Sequence, residues 1–269
     1  MKLSGKYPKS YVLGLQNSME YRANFVLSML STVFPVLMQF VIWSAVYRYS
    51  DTPTVFNYSY TQMIAYILLA GVVSKLVVAG FEWEVADDIK NGGLDKFVVK
   101  PVDYFLFRFF SFLGQRTPHY VLSSAIISAI LLIMQAASGM ELEIKRIMLF
   151  LLMLVFSLVI NCLLFFIIST LAFLITEVWH TFYIFGVIVS IISGGVFPLD
   201  VFGDGVVAVL SFLPFKYTVY DTINVAGGKL GFQHGLGILG IQALWVLFLA
   251  AVCNAVWKKG MKKYTATGG

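Results

Sequence analysis

Six stretches of this chain contain no Asp, Glu, Lys or Arg: Ala23–Tyr47, Thr52–Ser74, Thr117–Met140, Ile147–Thr176, Val178–Leu199 and Leu230–Trp257. A helix needs about 20 consecutive, mostly apolar residues to cross a bilayer, so the pattern predicts an all-α, polytopic membrane protein with six spanning helices. Strands of a membrane barrel alternate apolar and polar side chains and cross in roughly 10 residues; these unbroken runs exclude that class. The first stretch follows a polar leader and no A-x-A site comes after it. It is also longer than the about 7–15 apolar residues of a signal peptide, so it reads as a retained span.

The interruptions are as informative as the runs. Residues 1–22 set Tyr11, Leu13, Leu15 and Met19 beside Lys9, Glu20 and Arg22, which predicts an amphipathic helix on the inner interface. The longest polar segment, 81–116, opens with a helical pattern in which Phe81, Val85 and Ile89 share one face. "NGG" then stops that helix and Pro101 punctuates the next turn. The break "TEVWH", Thr176–His180, predicts a tight helical hairpin. The segment 196–229 follows the glycines of "SGGVFPLDVFGDG". Its apolar part, Gly205–Phe215, is about half a span at 1.5 Å per residue. Pro198 and Pro214 break helices there. This predicts a re-entrant pair, roughly Asp204–Leu213 and Tyr217–Val225, that dips into the outer leaflet without crossing. The chain then reads as one membrane domain over 23–263, with a short tail at 264–269.

Composition agrees: 59% of residues are hydrophobic and only 12% charged, against about 25% charged in soluble domains, and mean hydropathy is +0.84. The net charge of +5 describes topology rather than nucleic-acid binding. With the N-terminus inside, Lys2, Lys6, Lys9, Arg22, Lys90, Lys96, Lys100, Arg108, Arg116, Lys258, Lys259, Lys262 and Lys263 are cytoplasmic. Only Arg48, Lys145, Arg146, Lys216 and Lys229 fall outside. That asymmetry is the positive-inside pattern and predicts that both termini are cytoplasmic, with membrane lipid as the partner of the basic residues. Cys162 and Cys253 each lie in an apolar run, which argues against a disulfide framework.

Catalytic chemistry is sparse. Glu82, Glu84, Asp87 and Asp88 cluster on the helix after span two, with Glu84, Asp87 and Asp88 on one face. Carboxylates in this number can bind a divalent cation, yet no second acidic cluster accompanies them, and a solvated or partner-facing helix fits better. His119, His180 and His234 never take the i, i+4 spacing of a zinc helix. No P-loop or G-x-S-x-G motif occurs, so the chain is expected to be no enzyme and to bind no metal or cofactor. Within the spans Lys75 sits near an inner end and can snorkel. No carboxylate or Arg is available near the midplane for ion coupling. If the protein transports, its energy is expected from a partner; an ATP-independent secondary carrier or channel remains the alternative.

Two stretches carry a family resemblance. After span two, Asp88, Gly92, Leu94 and Pro101 approximate E-x-x-x-G-x-L-x-x-x-x-x-x-P; before the last span, Gly194, Pro198, Leu213 and Pro214 match G-x-x-x-P … L-P. With the order of spans, the chain resembles the ABC-2 type permeases, the membrane subunits of ABC exporters, over nearly its whole length. Asp88 stands where that family commonly has Glu. The resemblance implies a half-transporter in the cell inner or plasma membrane. It would pair with a second permease chain, identical or different, and sit on separate ATP-binding subunits that hold the ATP and Mg. It makes 81–116 the cytoplasmic coupling segment, with Glu82, Glu84, Asp87, Asp88, Gly92, Gly93, Leu94 and Pro101 as the residues that couple to the ATP-binding subunit. It implies export, and the Phe-, Leu-, Ile- and Met-rich spans favour an amphipathic or lipid-like cargo. Two re-entrant pairs meeting at the dimer axis would form an outer gate, built from Gly194, Gly195, Phe197, Pro198, Phe202, Phe212, Pro214 and Phe215.

Overall fold

The computed structural model describes residues 6–20, 22–98, 102–138, 143–175 and 177–264. Pro101 of the coupling segment, Thr176 of the tight hairpin, loop residues 139–142 and the tail 265–269 lie outside the described residues. The elements in order are α1 (Lys6–Glu20), α2 (Arg22–Arg48), a two-stranded hairpin of β1 (Thr54–Val55) and β2 (Tyr58–Ser59), α3 (Tyr60–Val77), α4 (Glu82–Lys90) and α5 (Asp95–Val98). Then come α6 (Tyr104–Ser138), α7 (Ile144–Ser169), α8 (Trp179–Ile192), α9 (Asp204–Leu210), α10 (Phe215–Thr218), α11 (Tyr220–Ala226) and α12 (Phe232–Met261). The protein is thus all-α apart from the small hairpin, whose turn holds Phe56 and Asn57 at φ of 51° and 61°. Positive φ at both central residues is the tight two-residue turn. Sequence alone reads this stretch as a plain loop.

Among the described residues, four helical runs are long and apolar enough to cross a bilayer: Tyr60–Lys90, Tyr104–Ala136, Ile144–Phe173 and Phe232–Met261. The bent pair Asp204–Leu210 with Phe215–Ala226 would make a fifth if counted as one span. Val33–Arg48 and α8 are shorter apolar helices; the 14 residues of α8 reach roughly 21 Å of a core about 30 Å thick. At the centre stands α3, with Met63, Leu69 and Val73 fully enclosed. A capping box of Ser59 and Gln62 starts it. It packs on α2, α6, α7 and α11.

Two expectations shift. The third helix begins at Tyr104 rather than near Thr117: "YFLFRFFSFL" forms the first turns of one 35-residue helix. The backbone N–H of Leu106 donates to the Asp103 carboxylate (2.8 Å), an N-cap arrangement. Phe105 and Phe112 then pack on Phe81, so this stretch has a protein surface to cover. At roughly 52 Å, α6 overshoots a bilayer core by about 20 Å. The second concerns α1, whose amphipathic pattern has a protein partner: it lies along α6. Tyr7 stacks on Phe110, and the Tyr11 and Thr117 hydroxyls share a hydrogen bond of 2.8 Å. A side chain on Gly14 would overlap the Ser111 carbonyl, and one on Gly114 the Tyr11 carbonyl. Paired small residues of this kind let helix backbones touch. Gly114→Leu is therefore expected to lift α1 from α6, making it sensitive to a protease that spares the wild type. Unchanged protection would show that the glycines do not set the contact.

Candidate functional site

Two knots tie the helices together at opposite ends of the bundle. The first surrounds α4. Its apolar face (Val85, Ala86 and Ile89) is buried, and Phe81 just before it sits among Phe105, Phe112 and Phe166. Arg108 of α6 forks between the carboxylates of Glu84 and Asp88, one helical turn apart on α4. Its Nε also donates to Asp88 (3.1 Å) and to the Tyr104 hydroxyl (3.2 Å), while Tyr104 donates to Asp88 (2.5 Å). The Asp88 side chain is 7% exposed and that of Glu84 38%. Gly92 turns the chain at φ 74°, a conformation costly for residues with a Cβ. A Cβ on Gly93 would overlap the Asp88 carboxylate. The two glycines thus serve different ends: one bends the chain and the other makes room. Leu94 is buried below them.

The sequence places Glu84, Asp87 and Asp88 on one outward face; the structure separates them. Asp87 is exposed and accepts from Asn91 (2.6 Å). Asp88 is buried as the structural anchor, and Glu82 is buried as well. The stripe left exposed is Asp87 with Asn91 just past the end of α4, whereas Trp83 stacks on Trp179 at the start of α8 (5.0 Å). Past α12, Tyr264 donates to Asp95 (2.7 Å). Arg108 escapes the sequence reading, although a lone arginine among phenylalanines signals that a buried charge needs partners.

The second knot holds 193–229. The chain leaves α8 through Gly194 at φ 82°; the N–H of Gly194 bonds to Ile191 O (3.1 Å) and that of Gly195 to Ser190 O (2.9 Å). This is the Schellman pattern, which a left-handed residue completes. Tyr66 of α3 donates to Gly194 O (2.7 Å). Pro198 and Leu199 are buried, and a short 3-10 turn, Leu199–Phe202, leads into α9. Asp200 on that turn accepts from Tyr220 (2.7 Å) and Lys229 (3.3 Å). The Lys229 ammonium also lies 3.4 Å from the centre of the Tyr58 ring, and Tyr58 donates to Asn224 (2.9 Å). Burial pulls the Lys229 pKa below its ordinary value, and Asp200 opposes that shift.

Every residue of α11 is buried. Gln242 of α12 donates to Tyr217 O (2.8 Å) and Ser157 Oγ (3.0 Å), and Thr222 donates to Tyr217 O (2.9 Å). Those bonds satisfy a carbonyl freed by the break between α10 and α11, as a broken backbone away from water requires.

The phenylalanines expected at the outer gate differ in burial. Phe212 is 83% exposed and Phe202 is exposed too, while Phe197 and Phe215 are half-buried; Pro214 is buried. Three tyrosines, Tyr58, Tyr66 and Tyr220, pack on one another beside this segment. The structure also buries a charge pair that the sequence reading lacks: Lys216 and Asp221, 3.7 Å apart. Among the described residues no three His, Cys, Asp or Glu side chains gather as metal ligands, and Cys162 and Cys253 are free and buried.

Long apolar helices bound into one bundle define a multi-pass helical membrane protein. The chain belongs to the ABC-2 family transporter proteins, whose family model matches residues 33–268. It is accordingly a membrane permease of the ABC transporter type. Comparison with curated proteins returns no match.

Proposed function

We propose that this permease is the membrane half of an ABC exporter, with six crossings, both termini and α4 in the cytoplasm, and α9–α11 as a re-entrant outer hairpin. ATP and Mg belong to a separate ATP-binding subunit, which this family generally employs. A second permease chain completes the path for an amphipathic or lipid-like cargo. The observation that carries the reading is the clamp on α4: a short polar helix at the end of the run Tyr60–Lys90, fixed to α6 by Arg108 and to α8 by Trp83, with the stripe of Asp87 and Asn91 left exposed. A helix held so rigidly passes a push from a docked subunit directly to two membrane helices. In this reading Asp87 contacts the ATP-binding subunit, while Glu84 and Asp88 hold the lever.

Asp87→Lys is expected to weaken copurification with the ATP-binding subunit by about tenfold, a modest interface contact, at unchanged thermal stability. Binding and ATPase stimulation at wild-type levels would refute docking at this stripe. The topology has its own check. A thiol probe applied from outside should reach cysteines at Asp51 and Glu143 but none at Lys96; labelling of Lys96→Cys would invert the scheme.

A carrier without ATP draws on the buried Lys216–Asp221 pair. That pair joins two short helices to each other, however, and the wholly buried α11 offers it no open path.

A further inference from the structure

A cleft of about 360 Å³ opens between α2, α3 and α6. Val36 and Leu37 of α2, Leu68 and Val72 of α3, and Ile126 and Ile130 of α6 wall it. Its end nearest α4 is different, because Lys75 and His119 line it there. Arg116 lies one turn before His119, its guanidinium over the Phe112 ring (5.6 Å). Lys75 is exposed and makes no ion pair with a carboxylate among the described residues.

The shape and the charge agree on one occupant. From His119 to Ile130 the cleft follows α6 for roughly 16 Å, about the depth of one leaflet of a core about 30 Å thick. Its walls suit an alkyl chain, and its cationic end suits an anion at the level where headgroups begin. A lysine there extends its ammonium toward the interface. We propose that the cleft holds one acyl chain of an anionic glycerophospholipid from the leaflet on the α4 side, its phosphate set against Lys75. This lipid is a resident ligand rather than cargo. The assignment needs only the membrane class of the chain, not the coupling role of α4.

The test is native mass spectrometry of the permease purified with its partners and incubated, without ATP, in mixed micelles of phosphatidylglycerol and phosphatidylcholine with identical chains. The wild type should retain phosphatidylglycerol at least about fivefold over phosphatidylcholine, the order expected of one cation near an anionic headgroup. Lys75→Gln should lower that preference by a factor of about three or more. Val72→Phe, which fills the cleft, should lose the retained lipid of both kinds. Absence of a wild-type preference overturns the proposal, as does an unchanged preference in Lys75→Gln or full retention in Val72→Phe. Should the Val72 variant fail to fold, the exposed Lys75 site still decides. Soluble glycerol phosphate at millimolar concentration should not displace the lipid; displacement would assign the site to a free phosphate and sink the acyl-chain reading.

Discussion

Arg108→Ala is expected to lower stability by about 3–5 kcal/mol, the range for removing one partner of a buried ion pair. The loss comes mainly from what stays behind. Asp88 is buried, and without the guanidinium its charge keeps only the Tyr104 hydroxyl. Glu84 is freer to reach water and loses less, so Glu84→Gln is expected to cost about 1 kcal/mol or less. The free, buried Cys162 and Cys253 offer a direct reading through the temperature at which they react with a maleimide. For a chain of this size the Arg108 variant should react on the order of 10 °C earlier. Adding Asp88→Asn should recover part of the loss, because the stranded charge is then gone. A melting point within about 2 °C of wild type, or a double variant worse than the single one, would show that the clamp does not hold α4.

Gly194→Val should be the most damaging single change at the other knot. A β-branched residue at φ 82° carries a backbone cost of about 1–3 kcal/mol. Its Cβ would also lie 2.7 Å from the Tyr66 hydroxyl and 2.8 Å from the Tyr220 Cβ, which forces α11 away from α3. Tyr66→Phe removes only the hydrogen bond to Gly194 O and is expected to cost about 1 kcal/mol. A cysteine in place of the fully buried Thr222 would report on the hairpin. It should resist labelling in the wild-type background and in Tyr66→Phe, and should label readily with Gly194→Val. Equal protection in all three backgrounds would mean that Gly194 does not seat α11.

Several particulars were legible in the chain. The face of Phe81, Val85 and Ile89 is buried as its spacing predicts. Gly194 ends α8 and Pro198 keeps the helix from resuming, and the runs Asp204–Leu210 and Phe215–Ala226, bent 88° to each other, fall close to the expected bounds, although the second is split into α10 and α11. The family follows from the same breaks, since its motifs are the helix stops themselves. Less legible was the division of labour among neighbouring carboxylates. Asp87 and Asp88 are adjacent and chemically alike, yet one faces solvent and the other anchors Arg108. Helical periodicity puts Glu84 and Asp88 in line, but it does not say what stands opposite them.

Sequence by itself determined the helical membrane class, the places where helices stop and the family, because these depend on local properties: unbroken apolarity, glycine and proline chemistry, and the bias of positive charge. Tertiary structure alone decided that α1 seats on α6, that Tyr58, Tyr66 and Tyr220 pack together, and that a cleft with a cationic end opens beside α3. The reason is physical. Lipid is as apolar as a protein core, so hydrophobicity does not separate a helix face that meets lipid from one that meets another helix. The bonds that settle the matter, Tyr58 to Asn224 and Tyr66 to Gly194, join residues 166 and 128 positions apart, a distance across which no local pattern carries information.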